Sequence, residues 1–292
     1  MPSVSHLFYS ADLGTSANSK NVLEHLDKSL KFIYNYNINY NNIRLIISDS
    51  TSYCIKFFDE FKSINSLNNI YHVRCLAHQI HIICNNIRLS FPIVDKFFTQ
   101  LNKYFIPNLV KSDFKTNTTL PIPPKIIRTC WCSFIDLTRY IYNNYLTLSN
   151  YFNLLHLKEN TYLIFIRKCL ADKKFKKDIS VLNNYSFLSN HIKTLQNHKI
   201  PLKTSLDITS DGQKKLIDKT LLNKFNHLII SNNLFSLYNV SKNDPDYKYC
   251  LSNSIDCEKS FSHFQRTVRN RPAFKIDNLK KHLIIQLNSN KL

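Results

Sequence analysis

Along the first part of the chain the apolar positions switch between two periods. Val4–Ser10 (VSHLFYS) reads as a short strand. Val22, Leu23, Leu26, Leu30 and Ile33 recur at three- and four-residue steps, which predicts an amphipathic helix over Val22–Tyr34. Ile43–Ser48 (IRLIIS) is Ile-rich and too short for a helix, so it reads as a buried strand. Asp49 closes that strand, Ser50-Thr51-Ser52 opens a turn, and a helix follows from about Tyr53 to Phe61. Ile70–Val73 is the next apolar run, and Cys75-Leu76-Ala77-His78 leads into a helix with Ile80, Ile83, Ile87 and Phe91 on one face. Strand, helix, strand, helix with crossovers of this length predicts a parallel α/β arrangement.

The pattern then changes. Asn117–Lys125 (NTTLPIPPK) is Pro-rich and predicts an extended surface connection. From Cys130 onward strands are almost absent: Trp131–Phe152, Leu163–Leu170, Asp178–Leu195 and Gly212–Leu228 read as helices, with Gly212 in the turn before the last of them. Asn243-Asp244-Pro245-Asp246 marks a break before two final helices, Cys257–Val268 and Asp277–Leu287, with an Arg-rich turn between them. There is no internal repeat, and the Asn-rich patches read as codon bias.

Composition changes this picture in one respect. Across 292 residues, 39 Lys+Arg oppose 20 Asp+Glu, a formal net charge of +19. Such an excess favours a polyanionic partner: DNA, RNA or an acidic membrane. The richness in Asn, Lys, Ile and Tyr, with only 2 Gly, is equally what an AT-rich coding sequence produces. No run reaches the roughly 18–20 apolar residues of a membrane span. The amino terminus lacks the basic and apolar regions of a signal peptide. The eight scattered cysteines, at 54, 75, 84, 130, 132, 169, 250 and 257, fit reduced thiols, and the expected compartment is nucleus or cytosol.

Three places carry candidate chemistry. Asp49 stands at a strand's carboxyl end, where α/β sheets bind ligands and where an Asp can hold Mg²⁺; an Asp there also commonly caps the next helix. Cys75, His78 and His81 form C-x2-H-x2-H, but no matching second pair completes a zinc site, since Cys130 and Cys132 are one residue apart; no zinc is expected. In the stretch from Cys257 to Arg271, Phe261, Phe264 and Val268 share a face, Lys259, Arg266, Arg269 and Arg271 supply cations, and Glu258 stands among them. That stretch is either a solvated basic face with one ion-paired Glu or a carboxylate metal ligand inside a phosphate-binding patch.

Four blocks in order resemble one family. SDSTSYC (48–54), RCLAH (74–78) continuing through IRLSFP, LPIPPKIIRTCWCSF (120–134), and SIDCEKSFSHF (254–264) followed by NLKKHLIIQLN resemble the hAT-type transposases. They most resemble the transposase-derived group similar to CGG triplet repeat-binding proteins. The resemblance implies a mixed, predominantly helical α/β protein: an incomplete RNase H-like core with few strands, a large helical insertion and C-terminal dimerisation helices. The implied segments are 1–116 for the partial strand/helix region, 117–245 for the helical insertion with its Pro-rich lead-in, and 246–292 for the dimerisation segment that completes the core. Mg²⁺-dependent strand transfer by three carboxylates is the family's chemistry, with Asp49 as the second and Glu258 as the third. His78 would lie near the scissile DNA and Trp131 beside a base, with Lys259 and the three arginines on phosphates. Leu279, Leu283, Ile284 and Leu287 form the apolar stripe of the last helix for a homodimer or higher homo-oligomer.

Departures weaken the catalytic part of that resemblance. The family's first Asp precedes the block matching Val4–Ser10 and has no counterpart, and neither does its zinc-finger module. The arginine of the family's Thr-Arg-Trp block is Cys130, and its Glu-Arg pair is Glu258-Lys259, a replacement that loses the forked guanidinium. An RNase H-like sheet runs 3-2-1-4-5, so a core starting at strand 3 has a gap between Val4–Ser10 and Ile43–Ser48. The expectation is a DNA-binding, dimerising remnant without independent catalysis; no cofactor is certain, with Mg²⁺ as the cofactor if it is active. The alternatives are an active transposase or nuclease completed by an upstream segment, and a helical interaction protein without a role on DNA. Replacing Arg266, Arg269 and Arg271 together with Ala is expected to weaken DNA binding and flatten its salt dependence, read by titration at several salt concentrations.

Overall fold

A computed structural model describes residues 17–67, 70–126, 132–155, 160–197 and 200–242, together with Asn278. Along the described residues run α1 (Ser19–Ile33), a single 3-10 turn (Tyr40–Asn42), β1 (Leu45–Ser48), α2 (Ser52–Ile64), β2 (Tyr71–Arg74) and α3 (Leu76–Leu89). Then follow α4 (Pro92–Tyr104), α5 (Asn108–Asn117), α6 (Ser133–Asn143), α7 (Tyr145–Leu154) and α8 (Thr161–Ala171). The series ends with α9 (Lys173–Asn183), α10 (Phe187–Leu195), α11 (Leu202–Lys215), α12 (Lys219–Ile230) and α13 (Leu234–Ser241). The protein is thus a predominantly helical α/β chain, with one two-stranded parallel sheet among the described residues. It divides into two compact units, one drawn from Met1–His78, Gln196–Leu206 and Ile230–Leu292, the other from Gln79–Leu195 and Asp207–Ile229.

The first unit is built on β1 and β2, which pair in the register Leu45 with Tyr71 through Ser48 with Arg74. The ladder extends beyond both ends, from the Tyr71 N–H to the Arg44 carbonyl (3.0 Å) and from the Cys75 N–H to the Ser48 carbonyl (2.7 Å). The α1 helix opens on Asn18, whose side chain accepts from the Asn21 N–H at 2.9 Å, as a good N-cap should. Its Leu30 joins Phe57, Phe58 and Phe61 of α2, with Leu67 and Ile70, in one buried cluster; Val22, Leu23, Leu26 and Ile46 pack against it. The predicted α1, α2, β1 and β2 all form, with boundaries displaced by at most three residues. Val4–Ser10 lies outside the described residues.

The other edge of β2 is closed by side chains. Asn232, in the turn between α12 and α13, accepts from the Arg74 N–H (3.3 Å) and donates to the Arg74 carbonyl (2.8 Å). Asn233 donates to the His72 carbonyl at 3.1 Å. Two amides therefore stand where a further strand's backbone would pair. Reading the Asn-rich patches as codon bias alone misses this role.

The second unit has an aromatic core. Phe97, Phe98, Phe114, Phe152 and Phe175 are all fully buried. Phe97 meets Phe175 with centroids 4.7 Å apart, Phe98 meets Phe134 at 5.1 Å, and Tyr104 meets Phe152 edge-on at 5.4 Å. Ile80, Ile83 and Ile87 are fully buried on α3 as the periodicity predicts, but Phe91 is not on that helix. Pro92 takes the first position of α4, where its missing N–H is harmless, and the chain breaks before it. The predicted helix Trp131–Phe152 is two helices parted at Asn144, whose side chain donates to the Tyr140 carbonyl (2.8 Å) and ends α6. Asp178–Leu195 likewise divides into α9 and α10. The α4 and α5 helices go unpredicted.

Gly212 is also not in a turn. It lies inside α11, and a Cβ there would meet Cζ of the Phe225 ring at 3.0 Å. Phe225 is 1% exposed, so the ring has nowhere to go. Gly212→Ala is therefore expected to destabilise by about 1 kcal/mol, overpacking of about 1–3 kcal/mol outweighing about 1 kcal/mol of helix propensity. In a Phe225→Leu background the same change is expected to stabilise, with urea midpoints reading both.

Candidate functional site

The carboxyl end of the β1–β2 pair gathers the polar side chains of the first unit. Ser48 closes β1, and its hydroxyl donates to the Asp49 carbonyl at 2.8 Å. His72 Nε2 lies 2.8 Å from Ser48 Oγ. Because the hydroxyl's one proton is spent on the carbonyl, His72 is the donor and carries its proton on Nε2. In that arrangement the imidazole lone pair does not face the hydroxyl, and His72 serves as a donor to Ser48. The ring is buried and stacks on Phe58, centroids 4.6 Å apart and planes 21° from parallel.

Burial and then the nearby Arg74 guanidinium push the His72 imidazolium down to a pKa of about 4, against a weaker opposing pull from Asp59. Arg74 itself is held by Ser231, whose Oγ accepts from Nη1 at 3.0 Å. Arg74, Ser231 and Asn232 are absent from the sequence-based candidates; the only local signal was the Ser-Asn-Asn run after α12.

Asp49 behaves first as a turn residue. Its Oδ1 accepts from the Thr51 N–H at 3.1 Å and from Thr51 Oγ1 at 2.6 Å, closing the turn that starts α2. Thr51 is the N-cap of α2 and makes no capping bond with its own side chain, whose hydroxyl donates to Asp49. Cys54, in the first turn of the helix, has its thiol pushed up chiefly by burial.

The remaining candidates fall elsewhere. His78 is half-buried in the first turn of α3, and Cys75 before it is fully buried. His81 Nε2 accepts from the Asn85 amide at 3.1 Å. Among the described residues no three His, Cys, Asp or Glu side chains converge to hold a metal ion. Cys132 lies 3.1 Å from Cys84, sulfur to sulfur, both thiols reduced and buried. Their mutual hydrogen bond and burial raise the Cys84 pKa far above the usual thiol range. Trp131, Glu258, Lys259, Arg266, Arg269, Arg271, Leu279, Leu283, Ile284 and Leu287 lie outside the described residues.

No protein-family model matches the chain, and a search of curated proteins finds no match. No helix among the described residues is long and apolar enough to cross a membrane.

His72 generates a pH prediction. Its folded pKa of about 4 lies below the ordinary 6.5, so the unfolded chain binds the extra proton between those values. Its contribution is complete above about pH 6.5 and is lost as pH falls toward 4, amounting to about 3 kcal/mol. Urea unfolding is expected to show a steeper loss between pH 7 and pH 4 for the wild type than for His72→Gln, which keeps a neutral donor beside Ser48.

Proposed function

We propose that the protein is a transposase-derived, hAT-like DNA-binding protein whose strand-bearing unit is a reduced RNase H-like core. The observation that carries this reading is the parallel β1–α2–β2 crossover with Asp49 immediately after β1 and Cys75 and His78 immediately after β2. Two of the four resembling blocks thereby occupy equivalent strand-to-helix corners, the positions at which α/β sheets meet ligands. The net charge of +19 supplies the attraction to phosphate.

Binding without cleavage is the form of this activity that the chemistry of the corner supports. Asp49 spends Oδ1 on two hydrogen bonds from Thr51. A metal pair needs several carboxylates converging, and Glu258 is the partner the resemblance assigns. In the proposal Lys259, Arg266, Arg269 and Arg271 contact phosphates, Trp131 stacks near a base, His78 faces the backbone, and Leu279, Leu283, Ile284 and Leu287 join two copies.

The test is binding of a labelled duplex by the purified chain across a salt series, with Mg²⁺ added to parallel samples. Affinity is expected to fall linearly on a log–log plot, by about 0.9 per phosphate contact, with the duplex left intact. Salt-insensitive or absent binding would overturn the reading in favour of a helical interaction protein. Cleavage lost in Asp49→Asn and in Glu258→Gln would replace it with an active Mg²⁺-dependent nuclease.

A further inference from the structure

The α8–α9 corner carries an excess of charge that nothing described in the protein neutralises. Between Lys168 and Lys177 stand five lysines, at 168, 173, 174, 176 and 177, and one acid, Asp172. Asp172 is committed to the backbone, its Oδ1 accepting from the Lys174 N–H at 2.8 Å as the N-cap of α9. All five lysines are exposed. Lys176 lies over the Tyr145 ring, 5.5 Å from its centroid, and that ring is itself fixed by a hydrogen bond to the Leu170 carbonyl. None of the five forms an ion pair with a carboxylate among the described residues, and Asp178, the next acid along α9, forms none with a basic side chain there.

This placement works against the helix. Lys173, Lys174, Lys176 and Lys177 occupy the first turn and a half of α9, where the exposed N–H groups already make the field positive. Three- and four-residue spacings also set Lys173 beside Lys176 and Lys177, so the like charges repel. Apart from the contact of Lys176 with Tyr145, the described fold gives no reason for the cluster; a polyanion laid across it supplies one.

We propose that this face is a phosphate-backbone contact surface for duplex nucleic acid, separate in sequence from the Arg266–Arg271 turn. The inference rests on the reading of the chain as a DNA-binding protein. At 100° per residue the four α9 lysines fan across the side opposite Phe175, Ile179 and Leu182, which are buried. Charges that diverge suit an extended row of phosphates; a single small anion needs them to converge. A membrane surface fits less well, because α9 spends its apolar face in its own unit and has none left to insert.

The test compares three full-length chains for binding to a random-sequence duplex across a salt series: wild type, Lys173→Ala/Lys174→Ala/Lys177→Ala, and a control with equal charge loss at the exposed Lys20, Lys115 and Lys203. Lys176 is left in place to keep its contact with Tyr145. The α9 variant is expected to bind about tenfold or more weakly at low salt, with a log–log slope shallower by up to about 2.7, while the control keeps nearly the wild-type slope. Lys→Arg at the same three positions is expected to retain binding, and matching circular dichroism spectra exclude unfolding as the cause. A wild type that binds DNA alongside an α9 variant with unchanged affinity and slope would overturn this inference and leave the functional reading standing. A wild type that ignores DNA overturns both, and a preference of the wild type for phosphatidylserine vesicles over duplex, lost in the α9 variant, would reassign the face to membranes.

Discussion

The amide of Asn232 pairs with the edge of β2 as the backbone of a neighbouring strand would. A parallel pair as short as β1 and β2 exposes backbone donors and acceptors on both outer edges, and buried unpaired groups cost about 1–3 kcal/mol each. Asn232 meets the Arg74 N–H and carbonyl together, and Asn233 takes the His72 carbonyl. With that edge closed, His72 is held where it can stack on Phe58 and donate to Ser48, and the Ser48 hydroxyl is turned onto the Asp49 carbonyl. The geometry around Asp49 is thus the last link of a chain of hydrogen bonds that begins in the α12–α13 turn.

A second constraint is the scarcity of carboxylates. With 20 acids facing 39 basic residues, several acids in the second unit serve more than one partner. Asp136 on α6 accepts from Ser189 (2.7 Å) and Lys193 (3.1 Å) on α10 while also meeting Arg139 (3.3 Å). Asp211 on α11 is shared by His191 and Lys215, each at 2.8 Å, and both hold its carboxyl below the usual range. Acids used in this way fasten helices to one another. The surplus of positive charge is left on the outside, and the α8–α9 corner is its densest described expression.

What could be read in the sequence was whatever has a local period or a local geometry. The Ile80, Ile83, Ile87 stripe declared α3, and the short Ile-rich run before Asp49 declared β1 and put that carboxylate at a strand's end. Contacts decided by distant residues left no such trace. Asn232 and Asn233 look like the rest of an Asn-rich composition until β2 is seen beside them. Cys84 and Cys132 meet across 48 positions with no motif to announce it. Gly212 looked like a turn residue because its reason, the Phe225 ring, belongs to the next helix. Helix breaks at Asn144 and Pro92 are hidden for a related cause: an unbroken apolar rhythm conceals a change of axis.

The closure of β2 also has a temporal side. Asn232 follows Arg74 by 158 residues in the chain. At about 5–20 residues per second, a ribosome takes roughly 8–30 seconds to deliver the second after the first. Throughout that interval β2 has emerged without its lock, presenting a bare strand edge of the kind that recruits other chains. The order of synthesis therefore leaves β2 waiting on the α12–α13 turn, and places its period of greatest exposure to aggregation before that turn is made.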